Sequence, residues 1–158
     1  MITFDRVKEL FNYENGQLIR KKSIQSRSKE GVVAGCLSDG GRYIVSIDYK
    51  RYKLHRIIWF WHYGFWPNEI DHIDGNPSNN NIDNLRPATR VQQMRNMKVP
   101  VTNTTGYKGI KKHKNKWTAQ ISINNKQKYL GIYDSPELAH TAYCNSAKEL
   151  FGEFARLK

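Results

Sequence analysis

The sequence predicts an α+β chain built as two small domains, residues 1–98 and 106–158, joined by a linker at 99–105. Two observations carry that reading. Short runs with strand-type alternation are interspersed with brief stretches at helical spacing, with no long regular repeat of either kind. The stretch Val99-Pro100-Val101-Thr102-Asn103-Thr104-Thr105 has no periodicity and carries a proline, and the pattern on either side of it differs.

Taken in order, Phe4, Val7, Leu10 and Phe11 fall at helical spacing and predict a helix over 3–13. Asn15-Gly16 signals a turn into a strand at 17–21, and Ser23–Glu30 reads as a polar, basic loop. Val32–Leu37, Tyr43–Asp48 and Tyr52–Leu54 read as strands, with turns at Gly40-Gly41 and Lys50-Arg51. An aromatic helix over 55–63 ends at Gly64 and Pro67. Strands at 70–73 and 82–85 flank an Asn-rich loop at 74–81. Thr89, with Gln92 three residues on, forms a capping-box pattern for a helix running to Lys98.

After the linker, 109–112, 116–123 and 128–133 read as three antiparallel strands, the last two joined at Asn124-Asn125. Ser135 as N-cap and Pro136 at the first helical position open a closing helix, with Leu138, Ala142, Ala147 and Leu150 on its apolar face.

The chain of 158 residues carries 26 Lys and Arg against 14 Asp and Glu, a net charge of +12. Residues 1–98 hold 16 of the basic and 10 of the acidic residues, so each part is net +6. Such a balance points to a polyanionic partner, nucleic acid first and an anionic membrane surface second, and each domain carries enough charge to touch nucleic acid, with double-stranded DNA the partner expected from the resemblances below. The longest apolar run, Ile57–Trp61, is far too short to span a membrane. No secretion signal is visible at the N-terminus. Cys36 and Cys144 lie far apart with no CxxC partner, which excludes a zinc knuckle and points to a reduced, intracellular protein.

The densest chemistry lies at Asp71-His72-Ile73-Asp74-Gly75-Asn76, with Asn84 twelve residues after His72. Phosphodiester hydrolysis needs an activated water and a positive charge near the phosphate. An unperturbed histidine is largely neutral at pH 7, so His72 is suited to take a proton from water. Asp71 and the amides of Gln93 and Asn96 supply hard oxygen ligands for Mg²⁺, with Mn²⁺ or another divalent cation as alternatives. Gln93 and Asn96 are three apart, so either can reach one pocket from a helix. Neighbouring strand residues point to opposite faces, so Asp71 and His72 serve one site only where the strand ends or twists.

Residues 54–96 resemble the HNH nucleases of the ββα-metal fold, through Leu54-His55-Arg56, Trp66-Pro67, Ile70–Asn76, Asn79-Asn80, Asn84-Leu85-Arg86 and Ala88-Thr89. The likeness is strongest to the zinc-less branch found in phage and intron homing endonucleases. It implies that Asp71 is a metal ligand, that His72 is the general base and that Asn84 fixes the loop and orients that base. It also implies cleavage leaving a 5′-phosphate and a 3′-hydroxyl. Gln93 stands where the family usually has Asn or His, and Asn96 keeps a second Asn of the pattern.

Residues 106–158 resemble the AP2 DNA-binding domain fused to such nucleases, through Gly106–Ile110, Trp117–Ile121, Tyr129–Tyr133, Glu137–Tyr143 and Phe151–Leu157. Lys108, Lys111, Lys112, Lys116 and Lys128 cluster on its strands and turns. By position, Lys108, Lys111, His113, Gln120, Ser122, Gln127 and Tyr129 match the family's DNA-facing places. Lysine gives charge without arginine's planar fork, so backbone positioning is expected over base discrimination. The function expected is a metal-dependent endonuclease of homing type acting as monomer or homodimer, with no obligate protein partner. A non-catalytic DNA-binding regulator with a decayed HNH site is the alternative that Gln93 leaves open.

Overall fold

A computed structural model describes residues 2–23, 29–38, 41–99, 102–124 and 126–157 of the chain. They form two compact units, Met1–Thr89 and Arg90–Lys158. Among the described residues, no helix is long and apolar enough to cross a membrane.

The first unit opens with α1 (Phe4–Leu10), capped by Thr3, whose side chain accepts the Arg6 N–H at 3.3 Å. The helix stops three residues short of its expected end. Phe11–Glu14 instead forms β1, paired with β2 (Gln17–Arg20) in a hairpin. Asn15 and Gly16, both at positive φ (45° and 83°), make the tight turn that matches strand twist. Gly16 is required there for a second reason: a Cβ would sit 2.9 Å from the Asn81 nitrogen. The hairpin turn therefore lies directly against the Asn-rich loop.

The strand expected over Val32–Leu37 is broken. Its first part runs beside β2, with a bridge from Val33 to Ile19, and only β3 (Cys36–Leu37) joins the next sheet. Gly35, at φ 104° and close against the Ile44 carbonyl, is the break. β4 (Tyr43–Ile47) and β5 (Lys50–Lys53) complete the sheet in the order β3-β4-β5. The turn joining them is Asp48-Tyr49, at φ 47° and 63°, and not Lys50-Arg51, which pair with Ile47 and Ser46. The turn expected at Gly40-Gly41 falls partly outside the described residues, as do the loop at 23–30, the linker and the Asn124-Asn125 turn.

α2 (Leu54–Tyr63) ends at Gly64 in the left-handed conformation. Its Ile57 and Ile58 are buried with Val7, Leu10, Phe11, Leu18, Val45 and Ile47, so α1, both hairpins and α2 share one apolar core. That core fixes where α2 presents His55. β6 (Glu69–His72) pairs antiparallel with β7 (Leu85–Ala88). The expected strand at 82–85 begins only at Leu85. Ile82–Asn84 is a 3₁₀ turn, because the Asn81 side chain accepts the Asp83 N–H and curls the chain.

In the second unit, α3 (Arg90–Arg95) precedes β8 (Ile110–His113), β9 (Lys116–Ile123) and β10 (Lys126–Tyr133), ordered β10-β9-β8. α4 (Pro136–Phe151) begins as expected, with Ser135 accepting the Leu138 N–H and Pro136 in the first turn. Of its expected apolar residues, Ala147 is buried and Ala142 packs against the core. Ala139, Tyr143 and Ala147 meet Ile110, Ala119 and Ile121, whereas Leu138 is 55% exposed. The small alanines let helix and sheet approach closely, and Gly109 permits it: a Cβ there would collide with the Tyr143 ring.

Candidate active site

His72 is the last residue of β6, and the chain turns immediately after it, with the Gly75 N–H donating to the His72 carbonyl. Its side chain is buried. Nε2 lies 3.0 Å from the Asn80 Oδ1. An amide oxygen can only accept, so Nε2 carries a proton, and in the neutral form of the ring the lone pair is left on Nδ1. Asn80 is itself only 4% exposed, so the partner is fixed as well.

His55, from the first turn of α2, stands against His72 with ring centroids 5.1 Å apart. Burial, first, and then the proximity of His72, Lys53, Arg42 and Arg56 push its pKa down to about 3. His55 is thus a neutral neighbour at pH 7.

The loop that carries Asn80 is organised by Asp74. Its carboxylate accepts from the Asn76 N–H at 2.7 Å, the Asn79 amide at 2.8 Å and the Asn84 amide at 3.0 Å. Partial burial raises its pKa, but those hydrogen bonds and the nearby His72 outweigh it and hold the carboxyl below its ordinary range. Asn84 also accepts the Asp74 N–H and donates to the Asn79 carbonyl at 2.8 Å. Asn84 locks the loop rather than touching His72 in a bond of its own. Tyr13 adds a brace, accepting the Ile82 N–H at 2.9 Å.

Asp71 sits one residue before His72 and is directly opposite Arg86 in the ladder. Arg86 donates from Nε (3.0 Å) and Nη2 (2.8 Å) to Asp71 Oδ2, and both side chains are buried. The two neighbours therefore have different surroundings: His72 with α2 and Asn80, Asp71 with β7. Gln93, half-buried, and Asn96, buried, lie on and just after α3, in the second unit. Among the described residues, no group of three or more His, Cys, Asp and Glu is placed to hold a metal.

Sequence reasoning missed three of these residues as functional. Arg86 belongs to the Asn84-Leu85-Arg86 motif, but its pairing with Asp71 is set by the strand register, which needs both strand limits. Asn80 was one of several similar Asn residues, and His55 had the look of a packing residue.

In the second unit, register separates the ten expected DNA contacts. Lys111 pairs with Thr118, His113 with Lys116, Gln120 with Tyr129 and Ser122 with Gln127. These alternate with the buried Ile110, Ala119 and Ile121, so Lys111, His113, Lys116, Gln120, Ser122, Gln127 and Tyr129 share the face opposite α4. Lys112 and Lys128 pair with Trp117 and Ile121 and belong to the helix side of the sheet. Lys108 is turned to the carbonyls of Arg95 and Met97, at 2.8 and 2.7 Å, where its ammonium caps the end of α3. Burial lowers its pKa.

A buried histidine ending one strand of a two-stranded ribbon, beside a loop tied by asparagines, defines a nuclease of the HNH class. The model of the HNH endonuclease family matches residues 52–95, the stretch from β5 through α3. The chain belongs to that family and is a nuclease; HNH nucleases generally use a divalent metal. It is 37% identical over 114 residues to Protein 3.8 of Escherichia phage T7, covering 70% of this chain and 93% of that protein. It is 36% identical over 117 residues to the uncharacterized HNH endonuclease L560 of Acanthamoeba polyphaga mimivirus, covering 72% of this chain but only 60% of that protein's length. No solved structure matches it significantly.

Proposed function

We propose that the chain is an endonuclease of homing type that hydrolyses phosphodiester bonds in duplex DNA, inside the cell, near a site held by the second unit as an AP2-like domain. The observation that supports this best is the fixed tautomer of His72. With Nε2–H committed to Asn80 Oδ1 at 3.0 Å, Nδ1 is the basic nitrogen and takes the proton from the attacking water. Asn84 and Asp74 are positioning residues: they hold the loop that holds Asn80. His55 keeps a neutral ring beside the base, so no second imidazolium opposes the charge that His72 gains.

The donors fit a hard divalent cation. Asp71 offers a carboxylate oxygen for it, in an orientation that Arg86 fixes. Mg²⁺ is commonly held by one or two carboxylates with water and substrate phosphate making up the rest. Bound there, the cation supplies charge stabilisation at the phosphate and the leaving oxygen. The second unit offers the shape that suits duplex DNA: a three-stranded sheet with one open face carrying lysine, histidine, glutamine and tyrosine. It supports backbone positioning more than base reading.

The test is nicking of supercoiled plasmid with Mg²⁺, with and without EDTA, comparing the wild type with His72→Ala. Cleavage by the wild type alone, abolished by EDTA, with duplex binding retained in the variant, is the expected result. Equal nicking by His72→Ala would remove His72 as the base, and a wild type inert with Mg²⁺ and Mn²⁺ would defeat the reading altogether.

A further inference from the structure

The nuclease unit carries basic residues that neither the active site nor the second unit uses. Arg42, Arg51 and Lys53 are exposed, and none of the three has an ion-pair partner among the described residues. The register of the β4–β5 hairpin places them together. Val45 and Ile47 are buried, so Ile44, Ser46 and their cross-strand partners Lys53 and Arg51 face outward. Arg42 immediately precedes β4, at the same end of the hairpin as Lys53.

The outer face thus carries Arg51 and Lys53, with the exposed Arg42 just before β4, and Lys53 leads directly into α2, whose buried His55 stands with its ring 5.1 Å from that of His72 between centroids. Lys53 and Arg42 are close enough to His55 to act on its charge. The row is rigidly presented. At its far end the Asp48 carboxylate takes two hydrogen bonds from Arg6, at 2.9 and 3.2 Å, which ties the hairpin tip to α1. Asp48 is also the one acid at that tip, and Arg6 neutralises it. Tyr49, next to it, is 92% exposed in a left-handed conformation that a tyrosine rarely adopts. An exposed aromatic held at such a φ, at the end of a basic track, is unexplained by packing.

We propose that the outer face of this hairpin is a second DNA-contacting surface, a phosphate track that lays the duplex backbone into the His72 site. This rests on the nuclease reading above. Its reach follows from strand geometry. From Arg51 to Lys53 is two strand residues, or roughly 7 Å. That corresponds to about two nucleotides of helix rise along one strand. The track therefore holds backbone immediately beside the scissile bond, independently of where the second unit is anchored. Phosphate is the ligand these residues suit: each is an exposed cation, with no carboxylate on the face to compete among the described residues.

The experiment uses the full chain with His72→Ala, so that DNA stays intact. Binding of a fluorescent mixed-sequence duplex is measured by anisotropy between about 50 and 200 mM salt. The comparison is with the same protein also carrying Arg42→Gln, Arg51→Gln and Lys53→Gln. Each phosphate contact contributes about 0.9 to the log–log slope, so the slope should become shallower by about 2 to 3. A charge-preserving variant, Arg42→Lys with Arg51→Lys, should keep the parent slope. An unchanged slope in the glutamine variant overturns the track. So does an equal loss in the lysine variant, which would mean that base edges rather than phosphates are read. Wild-type nicking run in parallel separates this result from the parent reading: a cleaving wild type with an unchanged slope refutes the track alone, whereas a shallower slope with an inert wild type leaves the track standing and refutes the nuclease assignment of His72.

Discussion

Lowering the pH from 7 to 5 should destabilise the nuclease unit through one residue, His55. Its imidazole is buried, with His72, Lys53, Arg42 and Arg56 nearby, and its pKa falls to about 3 from an ordinary value of 6.5. The sign follows from proton uptake. Between those two values the unfolded chain binds a proton at this position and the folded chain does not, so stability falls as pH falls. Above 6.5 neither state is protonated and the effect vanishes. At pH 5 the gap is about 1.5 pH units, worth about 2 kcal/mol at 1.36 kcal/mol per unit. The loss levels off only near pH 3. Asp48 and Asp74, both held below the ordinary carboxylate range, release their contributions at still lower pH and do not enter this window. Urea unfolding followed by tryptophan fluorescence reads the effect, because Trp59, Trp61 and Trp66 all lie in this unit. The control is His55→Gln, a neutral side chain at every pH used. The wild type should lose about 2 kcal/mol more than the variant between pH 7 and 5. Equal losses would show that His55 is accessible to protons in the folded state, and the account of a neutral neighbour beside His72 would fall with it.

Three further outcomes follow from the geometry. Arg86→Leu leaves the buried Asp71 carboxylate without its guanidinium and should cost about 3–5 kcal/mol, measurable by the same urea titration; a cost below about 1 kcal/mol would show the pair to be solvent-screened. Asn80→Ala removes the acceptor that fixes the His72 tautomer, so single-turnover cleavage at saturating DNA should slow by about 10- to 100-fold, the size of loss seen when a histidine's orienting partner is removed. Its duplex affinity should hold, and an unchanged rate would free His72 of any need for Asn80. Gly109→Ala would drive a methyl group into the Gln120 carbonyl and the Tyr143 ring at a φ of 70°, so the second unit should unfold at markedly lower urea while the first keeps its transition.

Much of this was legible in the residues, and the misses have physical causes. Gly64, Ser135 and Pro136 set the limits of α2 and α4 because capping is a local matter, decided within one turn. The errors came where a distant contact decides. Helix α1 ends early because Phe11–Glu14 has a partner strand in Gln17–Arg20. The β4–β5 turn shifts to Asp48-Tyr49 because ladder pairing takes Lys50 and Arg51, and Arg6, forty-two residues away, then holds Asp48. On α4, alternation of apolar residues suggested Leu138 and Leu150, but the sheet accepts only small side chains and Tyr143. At the site, His72 and Asp71 stood out by type and spacing. Their partners Asn80 and Arg86 did not, since a hydrogen-bond acceptor eight residues away and a cross-strand guanidinium are properties of the folded register.

The same register explains how two adjacent residues acquire separate work. Along β6, Ile70 and His72 share a side, and Ile70 is part of the core with α2. Asp71 must then point the other way. A regular strand continuing past His72 would have placed the next polar residues on the two faces in turn. Instead the Ile73 N–H donates to the Asn84 carbonyl, the Gly75 N–H closes a turn on His72, and Gly75 itself takes a φ of 65°. The chain leaves the ladder at the imidazole, so the residues that follow gather around it rather than alternate. Asp74, though close in type to Asp71, is thereby given to three hydrogen bonds within the loop and serves order. Asp71 takes the Arg86 guanidinium at Oδ2, which orients its carboxylate. The position at which the strand stops, more than the identity of either aspartate, decides which of them braces the loop and which pairs with Arg86 across the ladder.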